Sequence, residues 1–320
     1  MRMDNKVVAC IVGPTASGKS ALAVSLATRF QTQIVSADSV QVYREMDIGS
    51  AKPSQMERDC VPHHMIDCLP IDTPDFSVAK YSAMAFPVLD ALIASGKLPI
   101  IAGGSGLYIA AITNPLHFAV PSDEMIRREL TAAYSSDPDS LRAELRRVDP
   151  DSFARLHPND AKRIVRALEV YRCSGRSISS FGNDFHNDGG AKPPYRAIQI
   201  GLSMERQHLY DRINRRVDNM FACGLLDEAR KIYHAGYDRR LPAMQSIGYR
   251  QLFDYFDGYC TLDEARENIK RETRRFAKRQ MTWFRRDHRI HWLPADELSE
   301  AELTERATAL ILQEKEQNIL

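Results

Sequence analysis

The sequence lacks the features of membrane and secreted proteins. No segment approaches the roughly 18 consecutive apolar residues that span a bilayer, and the apolar run near the N-terminus is too short for a signal peptide. No two cysteines form a C-x-x-C pair, and their scatter is typical of reduced thiols rather than of a disulfide framework. The six are Cys10, Cys60, Cys68, Cys173, Cys223 and Cys260. We therefore expect a soluble cytoplasmic protein with no membrane partner.

Internal repeats and low-complexity tracts are also absent, and the composition is that of a globular protein. Of the 320 residues, 44% are hydrophobic and 27% are charged, which suffices for one large core or two smaller ones. The formal net charge of +1 hides a local asymmetry. Ten Lys and Arg stand against three Asp and Glu between positions 266 and 289, whereas the tail from position 296 has seven acids and two bases. The basic stretch is a candidate for contact with an anionic partner.

The pattern of apolar runs predicts an α/β fold. Residues 6–12, 32–38 and 97–104 are short β-branched runs that close at Gly or Asp before a helical pattern, as buried parallel strands do. Charged amphipathic helices occupy about 115–194, one more strand is predicted at 195–204, and the remainder reads as helical. We divide the chain into residues 1–115, the first part of the core; 116–194, a helical insertion; and 195–320, the return strand with the C-terminal helices.

A phosphate-binding loop follows the first predicted strand. The stretch "GPTASGKS" matches G-x-x-x-x-G-K-[ST] at every required position. Its glycines let successive N–H groups and the next helix N-terminus point at one anion, while Lys19 adds a positive charge and Ser20 is placed to ligate magnesium. The loop consists of Gly13, Pro14, Thr15, Ala16, Ser17, Gly18, Lys19 and Ser20. The predicted fold is therefore a P-loop NTPase-like core, a parallel sheet flanked by helices, with an inserted all-helical domain.

An aspartate ends the second predicted strand. Asp38, in "VSADSVQVYREMDIGSAKP", stands where ligands bind in open α/β sheets, although it could equally cap a turn or a helix. No later strand closes four apolar residues with the Asp that gives an ordinary ATPase its second magnesium ligand. The segment "PIIAGGSGLYI" ends instead in small residues and the hydroxyl of Ser105. An acceptor other than water or a simple hydroxyl is therefore a candidate.

Seven stretches together resemble one enzyme family. In chain order they are "GPTASGKS", "VSADSVQVYREMDIGSAKP", "VPHHMID", "IIAGGSGLYI", "LHPNDAKRIVRALEVYRCSG", "MQSIGYRQL" and "KRQMTWFRRD". They are similar to the bacterial tRNA dimethylallyltransferases, also called tRNA isopentenyltransferases, over nearly the whole chain. The resemblance implies transfer of a dimethylallyl group from dimethylallyl diphosphate to N6 of adenosine 37 in the tRNA anticodon loop. It also implies diphosphate as leaving group, Mg²⁺ as cofactor and a monomer.

The resemblance assigns catalytic roles to four residues. Asp38 would accept the proton of the adenine amine, Lys19 and Arg216 would hold the diphosphate, and Ser105 would hydrogen-bond near the amine where the family more often has Thr. Adenine N6 is a poor nucleophile because its lone pair is delocalised, so a nearby carboxylate is useful. For Arg216, a solvated basic helix face shared with Arg212 and Arg215 is the alternative.

The resemblance also implies three groups of tRNA contacts. They comprise Asp38, Ser39, Val40, Gln41 and Ser105; Lys162, Arg163, Ile164, Val165 and Arg166; and Gly248, Tyr249 and Arg250. Lys162, Arg163 and Arg166 could lie on one flank of a helix and contact phosphates, and Tyr249 could stack on splayed bases. For the cations a solvated helix face is the usual alternative. The basic helix of residues 266–289 would pack Phe276, Trp283 and Phe284 inward and turn its cations to RNA.

Other interpretations carry less weight. "CVPHHMIDC" suggests zinc, yet its spacing matches neither C-x-x-C nor H-x-x-x-H. A GTPase-like switch would need an N-K-x-D stretch, which is missing. A small-molecule kinase, or an adenylate isopentenyltransferase acting on free nucleotides, would share the phosphate loop. Neither needs the helical insertion or the basic helix.

Overall fold

A parallel sheet forms the core of the computed structural model, which describes residues 6–115, 120, 122–181 and 193–316. In chain order its strands are β1 (Val7–Val12), β2 (Ile34–Ser36), β3 (His63–His64), β4 (Ile100–Gly103), β5 (Arg196–Ser203) and β6 (Ile290–Pro294). Their order across the sheet is β3-β2-β4-β1-β5-β6, and every neighbouring pair is parallel. The predicted α/β fold with a parallel sheet is confirmed.

The described helices fall into two units. In chain order they are α1 (Lys19–Arg29), α2 (Gln55–Cys60), α3 (Val78–Ala94), α4 (Gly106–Thr113), α5 (Glu124–Ser136), α6 (Pro138–Val148), α7 (Pro150–Arg155), α8 (Ala161–Ser174), α9 (Arg206–Ala222), α10 (Leu225–His234), α11 (Tyr249–Phe256), α12 (Leu262–Phe284) and α13 (Glu300–Glu316). One unit combines residues 1–113 with 194–320, and the other is residues 114–193. Among the described helices, none is both long and apolar enough to cross a membrane.

Apolar side chains of alternate residues pack on the two faces of the sheet. Val8 and Cys10 of β1 lie in one cluster with residues of α3 and α4, whereas Ala9 and Ile11 lie in the other with residues of α1 and α13. This is the period of two that a strand buried on both sides requires. The sheet is thus covered by helices on both faces, which leaves its carboxyl edge for the loops that follow the strands.

A second helical layer of the same unit encloses the segment after β2. Val42, Tyr43 and Met46 are buried in a cluster with side chains of α9, α10, α11 and α12. The long segment between Asp38 and Lys52 is consequently held by packing rather than by a regular element of its own.

Two strands were not predicted. The sequence at 290–294 was expected to be helical, but it forms β6, which pairs in parallel with β5 from Gln199 opposite Ile290. Ile290 and Leu293 are buried beneath the sheet's helices, while the intervening His291 is exposed. Exposed arginines flank this short run, so its apolar signal is weak. β3, the two-residue edge strand, lies within the "VPHHMID" stretch.

The unit of residues 114–193 is helical throughout its described part. α5, α6 and α8 bury Leu130, Leu145, Ile164 and Leu168. Glu169, fully buried among them, accepts hydrogen bonds from Arg127 at 3.1 Å and Arg166 at 2.9 Å. A buried carboxylate needs such partners, since an unpaired charge there would be strongly destabilising. The domain boundaries at 115 and 194 that the sequence predicts remain predictions, alongside the division into the two units given above.

We expect Gly103→Ala to destabilise the sheet. A Cβ at Gly103 would lie 2.1 Å from the carbonyl oxygen of Ala37, a backbone atom of the neighbouring segment that cannot move aside alone. Overpacking of this kind lowers the free energy of unfolding by about 1–3 kcal/mol. Urea unfolding midpoints measure the change.

Gly96→Asn is the control for this variant. Gly96 has φ 78° with open space around it, and Asn tolerates the left-handed conformation. A Gly103→Ala protein within about 0.5 kcal/mol of wild type, the usual range for surface substitutions, would contradict the expectation.

Candidate active site

The loops that follow β1, β2 and β4 meet at the carboxyl edge of the sheet. β1 and β4 are neighbours at its centre, where the chain order reverses and ligands bind in open α/β sheets. A cavity of about 200 Å³ lies there. It is lined by Thr15, Ala16, Gly18, Lys19, Ser20, Ala21, Asp38, Gln41, Ser50, Ala102, Gly103, Gly104, Arg212, Arg216, Phe276 and Gln280. The structure thus brings most of the predicted loop together with Asp38, Gln41 and Arg216.

The phosphate loop has the conformation that its sequence predicts. Gly13 and Gly18 have φ of 140° and 101°, and Ala16 between them has φ of 64°. Gly18 is the N-cap of α1, so the helix begins at Lys19 with its first N–H groups facing the cavity side. The hydroxyl of Ser17 is buried with no hydrogen-bond partner among the described residues. A loop with left-handed residues and unpaired donors is suited to an anion.

Three cations surround this loop. Lys19 Nζ donates to the carbonyl of Pro14 at 2.6 Å, and Arg212 Nε donates to the carbonyl of Ala16 at 2.8 Å. Burial lowers the pKa of Lys19 to about 7, and repulsion from Arg216 adds to the effect. Burial also lowers the pKa of Arg216, although the charge of Asp38 opposes this. Burial and mutual repulsion therefore disfavour the charged forms of Lys19 and Arg216. An anionic ligand would stabilise both charges.

Asp38 both caps a turn and lines the cavity. Its Oδ1 accepts hydrogen bonds from the N–H groups of Val40 at 2.8 Å and Gln41 at 3.3 Å. Its Oδ2 makes no hydrogen bond to the described part of the chain. Asp38 can therefore both cap the turn and face a ligand. Its Oδ1 orients the carboxylate, and its Oδ2 remains available to the ligand.

Ser105 and Gln41 tie the Asp38 segment to its surroundings. Ser105 Oγ accepts from the exposed Ser39 N–H at 3.1 Å, and Ser105 is not among the residues that line the cavity. Gln41 Oε1 accepts from Ser36 Oγ at 3.0 Å, and its Nε2 donates to the carbonyl of Ala51 at 3.2 Å. Both side chains are thus engaged in fixing the backbone beside Asp38.

Gln280 was not predicted as a site residue. It lies on α12, is 6% exposed, and its Oε1 accepts from the Thr15 N–H at 2.8 Å while its Nε2 donates to the Gly104 carbonyl at 3.0 Å. One amide thereby joins the phosphate loop to the loop after β4. The signal in the sequence is an uncharged amide within the basic "KRQMTWFRRD" stretch, where it supplies both a donor and an acceptor.

Tyr249 is not available to stack on bases. It is fully buried, and its hydroxyl donates to Glu228 Oε1 at 2.6 Å. Burial, together with the Glu228 charge, raises the pKa of that hydroxyl well above its usual value. The same carboxylate accepts from the N–H groups of Asp47, Ile48 and Gly49 at 2.8–3.0 Å. The expectation that the Tyr249 ring stacks on bases is therefore wrong, while contact of residues 248–250 with tRNA stays a prediction. Arg250 is exposed, whereas Gly248 is buried.

The residues considered for zinc have structural partners instead. Asp67 pairs with the buried Lys52 and with Arg58, each at 2.6 Å. His63 Nδ1 lies 2.7 Å from the Val61 carbonyl, and His64 Nε2 lies 2.7 Å from Gln33 Oε1. Lys52 also donates to the carbonyl of Tyr43 at 2.7 Å. The "VPHHMID" stretch therefore anchors the segment that Asp38 begins.

On α8, the predicted tRNA-contact residues differ in exposure. Lys162 and Arg163 are exposed, and Arg163 pairs with Asp160 at the helix N-cap. The side chains of Ile164 and Val165 are buried in the core of their own unit, so a contact of these two residues with tRNA stays a prediction that only their backbone could meet. The half-buried Arg166 is engaged by Glu169 and by the Val120 carbonyl. Val165 was expected to face the core, and it does.

The basic helix α12 differs from its predicted arrangement at one aromatic residue. Phe284 is buried and Trp283 is partly buried, both in the sheet core, as expected. Phe276 was predicted to pack inward in the same way, but it lines the cavity. The prediction failed because α12 presents one face to the cavity as well as one to the core. Exposed cations such as Lys278 and Arg279 lie elsewhere on the helix.

Comparison with known proteins gives a consistent result. Residues 41–287 match the family model described as IPP transferase. The chain is 50% identical over 286 residues to tRNA dimethylallyltransferase 2 of Geotalea uraniireducens (strain Rf4), covering 88% of this chain and 90% of that one. It is 48% identical over 295 residues to the tRNA dimethylallyltransferase of Geobacter metallireducens, covering 92% and 94%.

Solved structures give the same correspondence. The tRNA isopentenylpyrophosphate transferase from Bacillus halodurans superimposes with a TM-score of 0.73 at 40% identity, covering 98% of each chain. A eukaryotic dimethylallyltransferase acting on tRNA superimposes with a TM-score of 0.80 at 25% identity, covering 95% of this chain and 78% of that one.

We expect Gln280→Leu to weaken the binding of inorganic pyrophosphate about tenfold. The substitution removes the hydrogen bonds that hold the Thr15 N–H and the Gly104 carbonyl, so the phosphate loop is less preorganised for the anion. One hydrogen bond contributes about 0.5–1.5 kcal/mol, which corresponds to a loss of affinity of up to about tenfold. Isothermal titration calorimetry measures the dissociation constant. Gln280→Glu, which keeps the acceptor and loses the donor, separates the two bonds.

The matched control is Gln207→Leu, on the exposed face of α9, where the amide donates only to Asp211. Its affinity for pyrophosphate should equal that of wild type. An unchanged dissociation constant for Gln280→Leu would show that the bridge does not support the anion site.

Proposed function

The chain belongs to the IPP transferase family, and on that premise we propose that it transfers a dimethylallyl group from dimethylallyl diphosphate to N6 of adenosine 37 in tRNA, releasing diphosphate. One observation supports this chemistry. A single cavity is lined by residues of the phosphate loop, including Lys19, and by Arg216 and Asp38. This is the pairing of an anion site and a proton acceptor that allylic displacement by an amine requires.

The leaving group is stabilised by the cationic side of the cavity. As the new C–N bond forms, the bond between C1 of the allyl group and the bridging oxygen breaks, and its electron pair stays on the diphosphate. Negative charge on that oxygen therefore grows in the transition state. The loop N–H groups, Lys19 and Arg216 are fixed before the reaction, so they stabilise this charge without reorganisation.

The amine is activated by Asp38. A proton leaves N6 as the C–N bond forms, and Oδ2 of Asp38 accepts it. Oδ1 meanwhile stays bonded to the N–H groups of Val40 and Gln41, which keeps the carboxylate oriented. Ser105 holds the adjacent Ser39 N–H and so acts on the position of this segment. Ser105 does not line the cavity, so its hydroxyl is better placed to hold the segment beside Asp38 than to contact the amine directly.

Magnesium fits the anion site. Mg²⁺ in phosphate-transferring sites keeps several waters and takes few protein ligands besides the substrate's oxygens. Ser20, in the first turn of α1, presents one hydroxyl to the cavity, and no cluster of His, Cys, Asp and Glu among the described residues offers a separate cage. When bound, the ion would neutralise charge on the diphosphate. Ser20 would hold it together with diphosphate oxygens.

The acceptor is a folded RNA rather than a free nucleotide. Reaching N6 of a base requires taking that base out of its stack, and the energy comes from contacts with the rest of the RNA. Lys162 and Arg163 of the helical unit, and Arg250 of the other, are exposed cations that support such contacts.

We expect Asp38→Asn to lose transfer activity by a factor of about 10²–10⁴, the usual contribution of a positioned base. Asn retains an oxygen for the Val40 N–H but accepts no proton. Single-turnover transfer of labelled dimethylallyl to tRNA measures the rate, and filter binding should show unchanged tRNA affinity. Asp59→Asn, an exposed residue of α2, is the control. Activity within threefold of wild type would remove Asp38 from the proton transfer.

We expect Lys162→Ala/Arg163→Ala to weaken tRNA binding and flatten its salt dependence. Each lost phosphate contact reduces the log–log slope by about 0.7–0.9. The control Arg128→Ala/Arg147→Ala removes equal charge from exposed positions of α5 and α6 in the same unit. Binding of dimethylallyl diphosphate should be unchanged in both. A wild-type slope in the first variant, or AMP accepted as efficiently as tRNA, would contradict a tRNA contact at this face.

A further inference from the structure

Among the described residues that line the cavity, one large apolar side chain, Phe276, is available to contact an apolar group of a ligand. We propose that Phe276 is the specificity-determining residue that limits the length of the transferred prenyl chain, by closing the apolar end of the cavity behind a five-carbon group. The inference rests on the proposed function and adds to it the selection of dimethylallyl over longer prenyl diphosphates.

Phe276 is the only large apolar side chain among the described residues that line the cavity. The remaining apolar lining consists of small residues, namely Ala16, Gly18, Ala21, Ala102, Gly103 and Gly104. The polar lining belongs to the diphosphate side and to Asp38. A branched hydrocarbon that sits between these two regions therefore has the Phe276 ring as its main apolar contact.

The ring is not committed to packing elsewhere. Phe276 is only partly buried and does not belong to the hydrophobic clusters formed by the described residues. Its recorded ring contact is with the guanidinium of Arg279, 5.8 Å from the ring centroid. An aromatic side chain that is partly exposed and outside the core leaves apolar area for a ligand to cover.

α12 fixes the position of the ring. Gln280, one turn further along the helix, is bonded to both Thr15 and Gly104, so this face of α12 is held across the cavity. Residues four apart on a helix lie on the same face. Ala277, beside Phe276, is fully buried against Leu209 and Ile213 of α9. A rotation of the helix therefore cannot carry Phe276 away, and its ring stays beside the cavity.

The size of the cavity supports a limit on chain length. Its volume of about 200 Å³ lies below the roughly 300–1,000 Å³ of pockets that hold drug-sized ligands. The diphosphate and the reacting adenine edge must share this space with the prenyl group. A ten-carbon geranyl chain adds five carbons, which on this proposal would have to occupy the position of the Phe276 ring.

The test compares the two prenyl donors in Phe276→Ala. The substitution removes a six-carbon ring, so kcat/KM for geranyl diphosphate relative to dimethylallyl diphosphate should rise at least about tenfold, since hydrophobic pockets discriminate by about 10–200-fold per methylene. Phe276→Leu should give a smaller rise. Phe221→Ala, which removes an equal ring from the α9 face beneath Arg266, is the matched control and should keep the wild-type ratio.

If Phe276→Ala turns over too slowly for kinetics, the binding of donor analogues tests the proposal instead. Unreactive thiolodiphosphate analogues of both donors should then show the same reversal in their dissociation constants. An unchanged donor ratio in both turnover and binding would overturn the proposal. So would a raised KM for tRNA with no change in donor ratio, because Phe276 would then be contacting the adenine. Failure of the wild-type protein to transfer dimethylallyl to tRNA would instead refute the proposed function.

Discussion

Asp38 reaches the cavity because the backbone at Ala37 lies directly against the backbone of β4. The Ala37 N–H donates to the Ala102 carbonyl at 2.8 Å, and the Ala37 carbonyl accepts from the Ser105 N–H at 3.1 Å. Only a residue without Cβ fits at Gly103, which faces Ala37. This approach fixes where β2 ends and turns the next residue towards the phosphate loop. The distance between the anion site and the proton acceptor is therefore set by the sheet itself.

The helix α12 provides the second constraint, and it shows why charge patterning gives an incomplete account. The basic stretch has a solvent face of cations, but it also has a buried face, where Gln280 bridges two loops and Trp283 packs in the sheet core. Phe276 belongs to neither face, since it borders the cavity. The helix α12 thus joins two loops, lines the cavity and carries exposed charge. Its amino-acid composition indicates only the exposed charge.

Local signals predicted the parts of the fold that local chemistry decides. The phosphate loop was recognisable because a tight turn before a helix demands its glycines. The strands β1, β2, β4 and β5 were recognisable because burial on both faces demands continuous apolar runs. Tyr249 was misjudged because its partner, Glu228, lies on another helix, and a burial decided by tertiary packing leaves no mark in the neighbouring residues. Gln280 was missed for the same reason, with its partners 265 and 176 positions away. β6 was missed because its apolar run is interrupted by the exposed His291.

The electrostatics of the empty cavity explain why a diphosphate suits it as a leaving group. Lys19 and Arg216 repel each other in a place that also disfavours charge, and the pKa of each is lowered by burial. A ligand with several negative charges relieves both effects, and it does so more strongly as its charge grows. In the proposed reaction diphosphate gains charge while the C–O bond breaks, so Lys19 and Arg216 would bind the transition state more tightly than the ground state. That is the condition for raising kcat rather than only lowering KM. Asp38 lines the same cavity, so the proposed proton acceptor and the proposed leaving-group site are held in one place.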